Sequence, residues 1–104
     1  MQPVSPTIRP PLEFDVEGGS NSQKVRVSSN KIGWLHSKAD QNGAQFDITI
    51  KDAVGRVRYQ RQNLGGGIVN HAGAFINLET MIGEELEVEL SNVRNAKKVQ
   101  LFIN

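Results

Sequence analysis

From Ala44 to Ile50 the chain reads Ala-Gln-Phe-Asp-Ile-Thr-Ile, with Ala44, Phe46, Ile48 and Ile50 alternating against Gln45, Asp47 and Thr49. Side chains on a strand point to opposite faces in turn, so this period of two makes one apolar face and one wet face and excludes a helix. Asn42-Gly43 precedes the run and Asp52-Ala53-Val54-Gly55 follows it. Asn, Asp and Gly tolerate the positive φ of tight turns, so both flanks are expected to return the chain antiparallel. The expectation is a half-buried strand inside a three-stranded meander from about Ile32 to Arg61.

The same rhythm recurs on both sides. Leu12, Phe14 and Val16 alternate with Glu13, Asp15 and Glu17; a turn at Gly18 to Ser22 separates them from Val25 and Val27. A strand over Ile32 to His36 puts Ile32, Trp34 and His36 on one face. Arg56 to Arg61 places Val57 and Tyr59 inward and the arginines outward. Asn63 to Gly73, with Gly65-Gly66-Gly67, is irregular and reads as a mobile loop carrying a short edge strand. Ala74, Ile76 and Leu78 form the next inward set, although Phe75 argues for cover on both faces. Leu86, Val88 and Leu90 alternate with Glu85, Glu87 and Glu89; Ser91 to Ala96 reads as a loop; Val99, Leu101 and Ile103 alternate with Lys98, Gln100 and Phe102. Helical period is nowhere sustained, and Leu78 to Gly83 holds one turn at most. About eight short strands with regular turn signals predict an all-β fold, an antiparallel β-sandwich of jelly-roll type over residues 12–104.

All four prolines, Pro3, Pro6, Pro10 and Pro11, fall in the first eleven residues. Proline denies donors to a ladder and favours extended backbone, so residues 1–11 are expected to form an arm. Either it is a disordered tail or it packs on a neighbouring subunit. At 104 residues the chain is one domain, and a chain of that size buries roughly two thirds of its unfolded surface, enough for one core. With no cysteine there is no disulfide, thiolate metal site or thiol nucleophile. A net charge of +1 gives no electrostatic case for nucleic acid. No apolar run approaches the ~20 residues of a membrane span, and the start of the chain lacks the basic and apolar regions of a signal peptide, so a soluble protein not addressed for export is expected. Its compartment is left open.

Ile76-Asn77-Leu78-Glu79-Thr80-Met81-Ile82-Gly83-Glu84-Glu85-Leu86-Glu87-Val88-Glu89-Leu90 resembles an element of galactose-binding-like jelly-roll domains. There an apolar residue, Asp or Asn and Leu lead through a loop to a glycine, before an alternating core strand. Met81-Ile82 departs from the pattern, replacing an aromatic and a small residue. The resemblance implies a loop turning tightly on Gly83, and a fold that in some members binds glycans through end loops and in others is purely structural.

Chemistry has little to build on. His36 and His71, the only histidines, lack ligands at metal spacing, so no metal and no cofactor is expected. Asp40-Gln41-Asn42-Gly43 lacks the closing Glu of a calcium loop and reads as a turn. Gly65-Gly66-Gly67 is followed by Ile68-Val69-Asn70 rather than by a helix start carrying Lys-Ser, which argues against a phosphate cradle. No Gly-x-Ser-x-Gly elbow supports a hydrolase, and no catalytic residue is assigned.

Trp34, the single tryptophan, is either a core residue or a stacking platform for a sugar ring, with His36, Arg58, Tyr59, Asn70 and His71 supplying hydrogen bonds. Six aromatics in all, four of them Phe, leave few for such a surface once the core takes its share. Charge is segregated: Lys51, Arg56, Arg58 and Arg61 in the middle of the chain, Glu79, Glu84, Glu85, Glu87 and Glu89 later. Either Glu85, Glu87 and Glu89 pair with Lys97, Lys98 or neighbouring basic strands within one sheet, or oppositely charged faces meet between copies. The leading expectation is therefore a non-catalytic structural or adhesion module, a virion or cell-surface decoration or connector subunit. It would contact copies of itself or a protein scaffold through Pro3, Pro6, Ile8, Pro10, Pro11, Arg56, Arg58, Arg61, Glu85, Glu87 and Glu89. The alternative is a carbohydrate-binding module using Trp34 and the glycine-rich loop; a third, a small hydrolase, has no positive support.

Overall fold

The computed structural model describes residues 11–104. Pro11 is exposed at its start, and the expected arm contacts at Pro3, Pro6, Ile8 and Pro10 lie outside the described residues. Eight strands run in chain order: β1 (Leu12–Asp15), β2 (Asn21–Arg26), β3 (Lys31–Ala39), β4 (Gln45–Asp52), β5 (Val57–Gly65), β6 (His71–Glu79), β7 (Glu85–Arg94) and β8 (Lys98–Ile103). They form two four-stranded sheets, ordered β1-β8-β3-β6 and β2-β7-β4-β5, with every pairing antiparallel. First pairs with last, second with seventh, third with sixth and fourth with fifth, the pattern of one long hairpin rolled into two layers. The fold is a jelly-roll β-sandwich.

The alternating apolar sets fill the space between the layers. Leu35, Ile48, Ile50, Leu86, Val88, Leu90 and Leu101 have no exposed surface, with Phe14 and Phe46 at 1% beside them. Burying one such side chain contributes about 1.5–3 kcal/mol, so this layer supplies most of the driving force for folding. The tight turn expected on the β6–β7 loop is present: Gly83 has φ +86°, and its amide donates to Val27 O at 2.7 Å, fixing the entry to β7.

Several readings change. The Ile32 to Arg61 segment is not a meander, because β4 pairs with β5 and β7 while β3 pairs with β6 and β8 in the other layer. Local turn residues permit a reversal, but burial of both inner faces sends the chain across the sandwich instead. Thr49, expected on the wet face, is buried because β4 is flanked on both sides, and Gln60 Nε2 donates to its hydroxyl at 3.4 Å. Ser91 to Arg94 continues β7 rather than forming a loop, paired with Asp47 and Gln45 across a register shift. In the glycine-rich stretch, β5 persists to Gly65 and β6 begins at His71 as the edge strand of its sheet, so the irregular part shrinks to residues 66–70. Val57, expected inward, is exposed, because the register of β4 against β5 shifts between Ile50 and Lys51.

A bulge in β3 sets which way the rest of that strand faces. The amides of Gly33 and Trp34 both donate to Asn104 O, at 2.8 and 3.0 Å, so two residues of β3 oppose one residue beyond β8. The alternation slips by one there. Ile32 faces the core at 2% exposure, and Trp34 turns to the outer face with His36, not to the face of Ile32 as the sequence suggests.

Candidate functional site

On the outer face of the β1-β8-β3-β6 sheet, Trp34 and His36 stand on β3, which has β6 on one side and β8 on the other. Trp34 lies opposite Phe75 of β6, and His36 lies opposite Phe102 of β8. The Trp34 and Phe75 ring centroids are 4.7 Å apart at a 57° tilt; His36 is 5.9 Å from Phe102, 5.9 Å from His71 and 6.3 Å from Trp34. The Trp34–Phe75 separation and tilt are those in which aromatic quadrupoles attract, a gain of about 0.5–1.5 kcal/mol beyond area burial. Phe75 is nevertheless 86% exposed. A cross-strand cluster of five rings thus lies on the outside of the sandwich, bordered by Lys38, which faces His71 on β6 and Gln100 on β8.

The indole of Trp34 lies over Gly73. A Cβ at position 73 would meet Trp34 Cη2 at 2.8 Å and Cζ2 at 3.0 Å, so the ring occupies the space in which a side chain of β6 would stand. The aromatic supply is also divided differently from expectation. Phe14 and Phe46 enter the core and Tyr59 packs against it in part, leaving Trp34, Phe75 and Phe102 on the outside. The sequence held a signal for this. Phe75 and Phe102 occupy the outward positions of otherwise alternating strands, where neighbouring outward residues are polar.

Of the residues expected to serve a glycan site, Trp34, His36 and His71 come together. Asn70 precedes His71 and anchors the loop, donating through Nδ2 to Ala39 O at 3.0 Å while Ala39 N donates to Asn70 O at 2.8 Å. Arg58 and Tyr59 lie on β5 in the other sheet. Arg58 spans the end of the sandwich, with Nη1 2.9 Å from Glu84 Oε2 and 4.0 Å from Asp52 Oδ2, and Nη2 donating to Glu79 O.

Of the residues expected to serve assembly, Arg56 and Arg58 make ion pairs within the domain. Arg56 Nε bonds Asp52 Oδ2 at 3.0 Å, and Arg61 is exposed on β5. On β7, Glu85 faces Arg26, Glu87 faces Lys24 and Lys51, and Glu89 faces Ser22 and Thr49. The cross-strand partners of the acidic row are therefore β2 and β4, not Lys97 and Lys98, which belong to the other layer.

Three aspartates pin the ends of the strands. The Asp52 side chain is only 6% exposed; burial works to raise its pKa, but hydrogen bonds from the Arg56 amide and side chain and from the Val54 amide outweigh it and hold the carboxyl below its ordinary value. At Asp40 burial likewise opposes the shift, and bonds from the Lys97 and Lys98 amides lower the pKa. Asp47 is lowered first by Asn92 Nδ2, donating at 2.8 Å, then by the Asn63 amide at 2.9 Å. Among the described residues no group of three or more His, Cys, Asp or Glu is placed to hold a metal ion, and no helix is long and apolar enough to cross a membrane.

No family model and no curated protein sequence matches the chain. Solved structures do. The chain is similar to the pre-peptidase C-terminal domain of collagenase from Bacillus anthracis, with TM-score 0.58 and 11% identity over 97% of this chain and 91% of that one. It is also similar to CsCBM6-3 from Clostridium stercorarium, solved in complex with cellobiose, with TM-score 0.52 and 10% identity over 90% of this chain and 81% of that one. At these identities the likeness is one of fold, and it agrees with the galactose-binding-like resemblance seen in residues 76 to 90.

Proposed function

We propose that the domain is a non-catalytic module that binds carbohydrate on the outer face of the β1-β8-β3-β6 sheet. The observation that carries this reading is Phe75, 86% exposed while in ring contact with Trp34. Leaving a phenyl ring in water forfeits hydrophobic free energy that burial would recover, and an apolar patch kept outside marks a contact surface. The C–H face of a pyranose is apolar while its rim carries hydroxyls, so it suits a floor of rings bordered by side chains that donate and accept hydrogen bonds. Trp34 and Phe75 form the floor; His36, His71, Lys38 and Gln100 form the border. The sandwich shared with CsCBM6-3 supports the reading, since that protein holds a disaccharide. The test is titration calorimetry against soluble glucans, galactans, xylans and mannans. Saturable binding to at least one, weakened about tenfold or more by Trp34→Ala, is the expected result. Failure of every polysaccharide to bind, or binding indifferent to Trp34, overturns it.

An assembly role is favoured by a separate observation. Val54, Met81 and Ile82 are 78%, 75% and 74% exposed on the β4–β5 and β6–β7 turns, which Arg58 links at one end of the sandwich. On this second reading that apolar end docks on a copy of the chain or on a protein scaffold, such as a virion or cell surface. Light scattering tests the contact between copies: a mass above that of one chain, reduced by Met81→Ser with Ile82→Ser, is expected. A single-chain mass at all concentrations removes that contact.

A further inference from the structure

We infer that Gly73 is the positioning residue of the carbohydrate face: its missing side chain lets Trp34 lie across β6 beside Phe75. The inference rests on the proposed glycan reading for its functional meaning, but its geometric part stands alone. Gly73 sits within β6, opposite His36, and its φ is not positive, so the backbone itself does not require glycine. A glycine in mid-strand loses packing and costs conformational entropy relative to alanine. What would meet a Cβ there is the far edge of the indole, Cη2 at 2.8 Å and Cζ2 at 3.0 Å, with Leu35 O more distant at 3.5 Å. Real Cβ atoms do not approach a ring that closely, so any residue other than glycine displaces the ring before it disturbs the strand. Gly73 thus separates two arrangements of one face: an indole seated over the strand against Phe75, or an indole lifted away. The lifted ring disrupts the floor on which a sugar would rest.

The Trp34 atoms concerned belong to the outer, six-membered half of the indole, which a phenylalanine at that position would lack. This gives a double-mutant cycle on the intact chain, built from Gly73→Ala, Trp34→Phe and the pair together. With Trp34 present, Gly73→Ala is expected to shift the emission maximum of the single tryptophan and to weaken binding of the polysaccharide identified by calorimetry about tenfold. With Trp34→Phe present, adding Gly73→Ala is expected to leave affinity unchanged, because the clashing atoms are gone. The thermal midpoint monitors folding. Should Gly73→Ala alone fail to fold, recovery of folding in the double variant supports the same steric coupling, and failure of both overturns it. Unchanged emission and affinity in Gly73→Ala, or equal losses in both backgrounds, also overturn it while leaving the glycan reading intact. A shifted emission in a protein that binds no polysaccharide has the opposite meaning: Gly73 positions the ring, and the glycan reading fails.

Discussion

Single residues in this domain divide by face rather than by type. Leu101 and Phe75 are both large and apolar, yet one is fully buried and the other 86% exposed. Leu101→Ala is expected to cost about 2–5 kcal/mol, from lost transfer free energy and the cavity left behind. Phe75→Ala is expected to change stability by about 0.5 kcal/mol or less, apart from the ring contact with Trp34. Chemical denaturation of the two variants checks the contrast, and a Phe75→Ala loss as large as that of Leu101→Ala would mean that the aromatic face is packed in solution. The alternation of Val99, Leu101 and Ile103 was legible in the sequence. The outward placement of Trp34 was not, because it depends on the bulge at Gly33 and Trp34, which shares one carbonyl of Asn104 between two amides.

Elements are fixed by their ends as much as by their patterns. Gly65 closes β5 with φ +95°, and a Cβ there would lie 2.4 Å from Ala44 O. Neither the conformation nor the space admits a side chain, so Gly65→Ala is expected to destabilise by about 2 kcal/mol or more, read as a lower thermal midpoint. Asp52 ties the β4–β5 turn through the Val54 and Arg56 amides and the Arg56 side chain. Its pKa is depressed on folding, as are those of Asp40 and Asp47. The unfolded chain therefore binds protons first as pH falls. Stability from these carboxylates is complete above the ordinary aspartate value of about 4 and is lost as pH drops through the folded values. Thermal midpoints measured from pH 6 down to pH 2 are expected to fall mainly below about pH 4, and less steeply in Asp52→Asn. A slope unchanged in that variant would remove Asp52 from the acid response.

At the scale of the whole molecule, part of the charge segregation falls into cross-strand register: on β7, Glu85 lies opposite Arg26 of β2 and Glu87 opposite Lys24 of β2 and Lys51 of β4, while Glu89 lies opposite Ser22 and Thr49. Such opposite-charge pairs contribute about 0.2–1 kcal/mol each within one domain. Raising salt is accordingly expected to leave the mass in solution unchanged, whether the protein is one chain or several, because the exposed side chains at the end of the sandwich proposed to dock, Val54, Met81 and Ile82, are apolar. Dissociation at moderate salt would show that the charged faces act between copies instead. The same layering separates the residues expected to serve a glycan site. Arg58 and Tyr59 lie within the same stretch of sequence as Asn70 and His71, but β5 and β6 belong to different sheets.

The sequence alone determined the class of this protein. A period of two repeated along the chain, no sustained helical period and turn residues at regular intervals admit little but an antiparallel sandwich, because side-chain alternation is a local property of a strand. Local rules could not say which strands become neighbours. A jelly roll is set by the requirement that both inner faces be buried at once, which joins β3 to β6 and β8 instead of to β4. That choice, with one bulge in β3, is what brings Trp34, His36, His71, Phe75 and Phe102 onto one outer face. The aromatic cluster is a consequence of tertiary register, and register is set by long-range burial rather than by any residue's own preference.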